Sequence, residues 1–349
     1  MKSLFPTMAK MKIRTVAEKL FSCLPPPATD HLDSDLESFN AILFDCTALV
    51  VSSLDIDGKR VHSISSNSFV DITDAFLLVH RHAADTLLKL RYETPSDRPS
   101  RPSFSSVLNL FEAIEHCLAK SKEALAVLAK TLAEVDFSDP NRSATDTHDK
   151  MKPFEDAGRE STEKFAGEVK SVAEQQIREL RELDQRRPKV KEEKKAFDVV
   201  FGLSSMVLIV AIAIIWVMAP ALKAAKAGEA PEVWEAGELP AVMEAALKLL
   251  CDPSEESGSQ RNSFAICELD ELRALALKLS FLLQEVSEEG VNDVAGLLEE
   301  DKKFVRETVE EMTIKSERFN LKIAKLEQHL IDSRRKFSEV EAKISEAWK

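Results

Sequence analysis

The segment Val199–Leu222, VVFGLSSMVLIVAIAIIWVMAPAL, contains 24 residues and no charged side chain. As an α-helix it would measure ~36 Å at about 1.5 Å per residue, which exceeds the ~30 Å hydrocarbon core of a bilayer. Aromatic residues are frequent near the ends of membrane spans, and Trp216 lies near one end of this segment. The segment therefore predicts a membrane-spanning helix, although a helix buried in a protein core can also be apolar on all sides.

The side chains expected to anchor this helix in the membrane are Val199, Phe201, Leu208, Ile212, Ile215, Trp216 and Leu222. A basic run precedes the span, and lysines and arginines at such a position contact anionic lipid headgroups. The run consists of Arg186, Arg187, Lys189, Lys191, Lys194 and Lys195. Because only Lys223 and Lys226 follow the span closely, the positive-inside rule predicts a membrane protein with its N-terminal region in the cytoplasm. A single pass and a re-entrant anchor both remain open.

Apolar residues recur at helical spacing on both sides of the span. With only 9 Gly and 1 Tyr in 349 residues, the composition argues against an all-β fold. We therefore expect an all-α protein, an elongated helical bundle with long coiled-coil-like helices and one membrane-spanning helix. The other predicted helices cover Ser34–Ser53, Ser68–Leu90, Ser103–Val135, Phe154–Gln185, Cys267–Val286 and Val291 to the C-terminus.

Changes in charge and in proline content divide the chain into seven segments. These are a basic, Pro-terminated arm (1–30), a three-helix region (31–137), a polar linker (138–149), a charged amphipathic helix with the basic run (150–198), the transmembrane segment (199–222), an acidic Ala/Glu-rich interfacial or linker segment (223–260) and a C-terminal coiled-coil-like region (261–349).

The last predicted helix carries a heptad pattern of apolar residues, which predicts a helix-helix seam. Met312, Phe319, Leu326 and Val340 occupy one heptad position, and Ile323, Leu330, Phe337 and Ile344 occupy the other. Such a seam needs a partner. The pattern leaves two open, namely the fourth predicted helix of the same chain or another copy of the chain in a homo-oligomer.

No motif in the sequence indicates catalysis, a cofactor or a metal. The chain contains no Gly-rich phosphate-binding loop, no H-E-x-x-H and no G-x-S-x-G. His80, His82 and Asp85 form the cluster most similar to a metal site, but their spacing points them to different faces of a helix. The net charge of −13 also argues against binding to nucleic acid. We therefore expect a protein that is not an enzyme, uses no cofactor and has lipids and other proteins as partners.

The order of these segments resembles the plant At-fourteen-a-like family of integrin-related, membrane-associated proteins. The resemblance implies a mostly helical membrane protein with a role in linking the cell wall, the plasma membrane and the cytoskeleton. The resemblance implies no catalytic residues for this chain. The stretches that carry it are Leu32–Phe39 (LDSDLESF), Ser68–Thr73 (SFVDIT), Leu110–Leu118 (LFEAIEHCL), Glu174–Gln176 (EQQ) and Glu268–Arg273 (ELDELR).

Two functions follow from these observations. The first is a membrane-anchored scaffold or interaction protein that binds partners through its coiled-coil-like helices. The second is a soluble helical-bundle signalling adaptor in which Val199–Leu222 is the buried core helix. The two differ in whether lipid or protein surrounds the apolar segment.

Overall fold

The computed structural model describes residues 34–54, 63–93, 105–134, 140–186, 191–218, 264–289 and 295–347. These residues form seven α-helices and no β-strand, which confirms the predicted all-α class. The helices are α1 (Ser34–Leu54), α2 (Ser66–Glu93), α3 (Ser105–Ala133), α4 (Pro140–Gln185), α5 (Lys191–Met218), α6 (Cys267–Glu289) and α7 (Ala295–Ala347). The predicted segments 1–30 and 223–260 lie outside the described residues.

The starts of the first two helices follow from local chemistry. Helix α1 begins at Ser34 as predicted, and Asp35 and Glu37 in its first turn interact favourably with the positive end of the helix dipole. Helix α2 begins at Ser66, two residues earlier than predicted. The reason is that Ser65 caps it: the Ser65 hydroxyl accepts a hydrogen bond from the backbone N–H of Ser68 at 3.1 Å.

The structure differs from the sequence prediction at the polar linker 138–149. Helix α4 begins at Pro140, so most of this segment is helical. A proline fits the first turn of a helix because the N–H that it lacks has no partner there. The segment has no apolar periodicity and therefore no helical signal that could be recognised in advance. It can nevertheless continue a long helix, since elongation costs much less than nucleation.

The predicted segment 150–198 is also divided in the structure. Helix α4 ends at Gln185, and α5 begins at Lys191 and continues to Met218. Helix α5 therefore contains the apolar segment together with the charged residues that precede it. The basic run begins at the end of α4 and continues into the first turns of α5.

The described residues separate into two compact units. The first consists of those within Met1–Ala113, Ala166–Ser257 and His329–Lys349, and the second of those within Ile114–Phe165 and Gly258–Gln328. Helices α3, α4 and α7 each contribute residues to both units.

In the first unit, α1, α2 and α5 all contact one another. Helices α1 and α2 are antiparallel. Lys89 Nζ lies 2.8 Å from Asp35 Oδ1, and the Ser68 hydroxyl donates to the Ser53 carbonyl at 2.9 Å. The start of α1 is thereby paired with the end of α2, and the end of α1 with the start of α2.

Parts of α3, α4 and α7 complete the first unit. The ring of Phe111 on α3 makes edge-to-face contacts with Phe76 on α2 and Phe337 on α7, at centroid distances of 6.4 Å and 6.2 Å. Between α3 and α4, the Asn109 amide donates to Gln175 Oε1 at 3.1 Å. This core is thus built from aromatic contacts, with polar side chains joining the helices beside them.

In the second unit, α6 packs antiparallel to α7. Lys315 and Lys322 on α7 form ion pairs with Glu271 and Glu268 on α6, at 3.3 Å and 3.2 Å. Lys122 on α3 forms a further ion pair with Glu327 on α7. Three residues before α6, the ring of Phe264 stacks on Phe154 of α4, with the centroids 5.1 Å apart.

Candidate functional site

The apolar segment of α5 is enclosed by the protein itself. Every residue from Phe201 to Ile215 is buried, and so is Val199. Of the predicted anchor residues, Val199, Phe201, Leu208, Ile212 and Ile215 all lie in this buried stretch. The side chain of Trp216 and the whole of Leu222 lie outside the described part of the chain. About four helical turns of α5 therefore have no face that is open to the surroundings.

A glycine on α5 allows close contact with α1. A Cβ atom added at Gly202 would lie 2.9 Å from Leu43 Cδ2 and 3.4 Å from the nearest ring carbon of Phe39. Both residues are fully buried. On the same turn of α5, the Ser205 hydroxyl donates to the Phe201 carbonyl at 2.8 Å, so its hydrogen bond is made within the helix. Small residues at a helix contact are found in protein cores and also between membrane helices.

Two described helices are long and apolar enough to cross a membrane, by length and composition alone. They are α1 (Ser34–Leu54) and the part of α5 between Lys194 and Ile215. The two differ in their surroundings, because 89% of the α5 window is buried in the protein and only 39% of the α1 window is. The less apolar helix is therefore the one that presents apolar side chains to the outside.

The basic run is only partly described. Arg186, at the end of α4, is exposed, with its guanidinium 3.9 Å from Glu182. Lys194 in α5 is exposed and Lys195 is half-buried. Arg187 and Lys189 lie between the two helices and outside the described residues, as does the side chain of Lys191. Lys194 and Lys195 therefore lie on the same helix as the enclosed apolar residues, about one turn before Val199.

The predicted seam on α7 is buried within this chain. Met312, Phe319, Ile323 and Leu326 belong to the core of the second unit, and Leu330, Phe337 and Ile344 belong to the core of the first. Val340 is half-buried. These side chains are therefore covered within the chain, and the contacts of α7 described above are with α3 and α6. Pairing with the fourth predicted helix and a homo-oligomer both stay predictions.

The histidine cluster that resembled a metal site is separated by the structure. His82 and Asp85 line a cavity of about 480 Å³ at the α1–α2 groove. The ring of His80 instead stacks on Phe337, and no group of His, Cys, Asp and Glu residues in the described chain could hold a metal ion. The other residues lining the cavity are Asp35, Ser38, Phe39, Thr86, Leu88 and Lys89.

His80 is the described ionisable group whose surroundings change its chemistry most. It is 1% exposed and stacks on Phe337 with the ring centroids 3.8 Å apart. Burial lowers the pKa of His80 to about 4 because desolvation disfavours the imidazolium. Another histidine, His329 on α7, also contacts α2. Its Nε2 lies 3.0 Å from Thr73 Oγ1 and 3.2 Å from Asp74 Oδ1. Sequence reasoning missed both α2–α7 contacts because periodicity does not show which helices are neighbours.

Comparison with known proteins places most of the chain in one family. The chain is 25% identical over 218 residues to the UPF0496 protein At2g18630 of Arabidopsis thaliana, which corresponds to 56% of this chain and 54% of that protein. The chain thus spans about half the length of the curated relative that it matches. No solved structure matches the chain significantly. A family model described as "Protein of unknown function (DUF677)" matches residues 36–249, from α1 to beyond the end of α5, and the chain belongs to this family.

Proposed function

We propose that the protein is a non-enzymatic helical-bundle interaction protein, an adaptor in which α5 is the central buried helix. The observation that supports this proposal is the unbroken burial of Phe201–Ile215 among helices of the same chain. A helix inserted alone in a bilayer would face lipid on all sides. In this chain α1 and α2 contact α5, where lipid would contact a helix inserted alone.

The energetics of the neighbouring helices favour the same conclusion. Phe39 and Leu43 are both fully buried and both lie against Gly202 of α5. Moving α5 into a membrane would uncover such side chains on α1 and α2. Each large apolar side chain that becomes exposed to water costs about 1.5–3 kcal/mol. Insertion of α5 into a membrane would therefore require another surface to cover the apolar faces of α1 and α2 that α5 now covers.

The test is the behaviour of the full chain without detergent. We expect alkaline carbonate to release the protein from the membranes of expressing cells. We also expect the purified chain to elute as a single monodisperse species in detergent-free buffer. Retention in the carbonate pellet together with a requirement for detergent would overturn the proposal.

A membrane-anchored scaffold is the second candidate, favoured by the 24-residue uncharged segment itself. In this form Val199–Leu222 crosses the plasma membrane, the basic run contacts the headgroups, and the N-terminal region lies in the cytoplasm. The resemblance to integrin-related proteins implies a link from the membrane to the cytoskeleton or the cell wall. Carbonate-resistant protein with only an N-terminal tag open to cytoplasmic protease is the outcome that would establish it.

A further inference from the structure

Every seventh residue of α7 between positions 315 and 343 is basic. These residues are Lys315, Lys322, His329, Lys336 and Lys343, and they occupy a heptad position that flanks the buried seam. No other heptad position in this part of α7 is basic throughout. Because a heptad covers about two helical turns, successive members of this basic row lie about 10 Å apart along one side of the helix.

The first three members of the basic row contact carboxylates of a neighbouring helix. In the second unit, Lys315 and Lys322 pair with two glutamates of α6. In the first unit, Nε2 of His329 lies 3.2 Å from Asp74 Oδ1 on α2. The basic row therefore marks the side of α7 on which acidic side chains of an adjacent helix meet it.

The last two members of the basic row have no such contact. Neither Lys336 nor Lys343 forms an ion pair with a residue that the structure describes. Lys336 is half-buried and Lys343 is exposed. Val340 lies between them and is half-buried, whereas Phe337 and Ile344 on the other edge of the seam are 0% and 2% exposed. Within the described chain, the seam is thus covered on one edge at this level and partly open on the other.

Lys336, Val340 and Lys343 lie on one face of α7. Their spacing of four and then three residues places them within about 60° of one another around the helix axis. Charged residues that flank an apolar heptad position determine which helix a coiled-coil helix accepts as its partner. We refer to these three residues as the α7 strip.

Two occupants from this protein itself fit the α7 strip poorly. A second copy that met the strip through a two-fold axis would place lysines against lysines. The acidic run Glu229–Glu238 of the same chain has its glutamates three residues apart. That spacing does not match lysines that are seven residues apart.

We propose that the α7 strip binds an acidic amphipathic helix of a partner protein, as a continuation of the carboxylate contacts that α7 makes with α6 and α2. The partner helix places an apolar residue against Val340. It places glutamates or aspartates, seven residues apart, against Lys336 and Lys343. This inference rests on the proposed function, since it names the chemistry of the partner that an interaction protein would bind.

The experiment measures binding of the full chain to two synthetic heptad-repeat peptides by fluorescence anisotropy. Both peptides carry leucine at the apolar heptad positions. One carries glutamate at every flanking position, and the other carries lysine there. We expect the glutamate peptide to bind and the lysine peptide not to bind. Binding should weaken as salt is raised, because salt screens the ion pairs at the helix surface.

Exchanging the charge of the α7 strip should exchange the preferred peptide. We expect Lys336→Glu combined with Lys343→Glu to weaken binding of the glutamate peptide at least about tenfold, which corresponds to about 1.4 kcal/mol, and to allow the lysine peptide to bind. The matched control combines Arg318→Glu with Lys325→Glu. These two exposed residues of α7 are also seven residues apart but lie outside the basic row. The control should leave both affinities unchanged, and circular dichroism checks that both variants stay folded.

Three results would overturn the inference: equal binding of the two peptides, no binding of either, or an equal loss of binding in the control variant. Binding to phosphatidylserine vesicles in place of the glutamate peptide would also overturn it, because it would assign the two lysines to lipid. Failure of the proposed function gives a different result. A protein that stays in the carbonate pellet and requires detergent contradicts the buried α5, yet its α7 strip can be tested with the same peptides in detergent.

Discussion

The imidazole of His80 on α2 lies flat on the ring of Phe337 on α7, with 3.8 Å between the centroids and 12° between the planes. Both side chains are almost fully buried. Phe337 also makes an edge-to-face contact with Phe111 on α3. Phe337, a residue of the heptad pattern, thus brings together α2, α3 and α7 in the first unit. The ionisable ring of His80 is thereby held in apolar surroundings.

The burial of His80 predicts loss of stability in acid. Its pKa is about 4 in the folded protein against an ordinary value of 6.5, so the unfolded chain takes up the proton first as the pH falls. The stability contributed by the neutral ring is therefore complete above pH 6.5 and is lost as the pH falls from 6.5 to about 4, by up to about 3 kcal/mol. Urea unfolding at several pH values measures this loss.

The control for this effect is His82, which is half-buried and lines the α1–α2 cavity. We expect His80→Leu to flatten the pH dependence between pH 6.5 and 4, and His82→Gln to keep it. An unchanged slope in the His80 variant would show that other groups cause the acid sensitivity.

Replacement by alanine is expected to have opposite effects on the free energy of unfolding at two glycines of α4. A Cβ atom at Gly158 would overlap the ring of Phe264, whereas one at Gly167 would meet nothing within 4 Å. The Phe264 ring cannot move away easily, because it is buried and stacked on Phe154. We expect Gly158→Ala to lower the free energy of unfolding by about 1–3 kcal/mol. Gly167→Ala should raise it by up to about 1 kcal/mol through helix propensity. Urea denaturation of both variants checks the prediction, which the same sign of change in the two would contradict.

The contact between α1 and α5 predicts energetic coupling between Gly202 and Leu43. Gly202→Ala places its Cβ against the end of the Leu43 side chain, so we expect a cost of about 1–2 kcal/mol. In a background of Leu43→Ala the methyl group enters the vacated space, and the cost should fall or change sign. A double-mutant cycle by chemical denaturation gives the coupling. Additive effects of the two changes would mean that the helices do not touch at this point.

The buried seam of α7 predicts that its residues support folding. Leu330 is fully buried, whereas Leu321 on the same helix is 65% exposed. Leu330→Glu should abolish cooperative unfolding or lower helicity, because a charge would lie in the core without a partner. Leu321→Glu should change the free energy of unfolding by less than about 0.5 kcal/mol. Circular dichroism and solution mass separate this outcome from a folded protein that has only changed its oligomeric state.

The fold class was predictable because helical periodicity is a local signal. Eight apolar residues of α7, from Met312 to Ile344, occupy the two heptad positions of the predicted seam, and all of these but Val340 are buried. The start of α4 was not predictable in this way. Residues 140–149 contain no apolar stripe, yet α4 begins at Pro140, since it extends a helix that the buried residues further along already stabilise.

Helical structure and the need to keep Val199–Leu222 from water can both be read from the residues alone, because these properties depend on local spacing and composition. Which surroundings keep this segment from water depends on how the helices pack. Burial of Phe201–Ile215 depends on α1 and α2, which are more than a hundred residues away in sequence. Neither hydropathy nor periodicity shows which surfaces meet, because a lipid chain and a buried leucine are equally apolar neighbours.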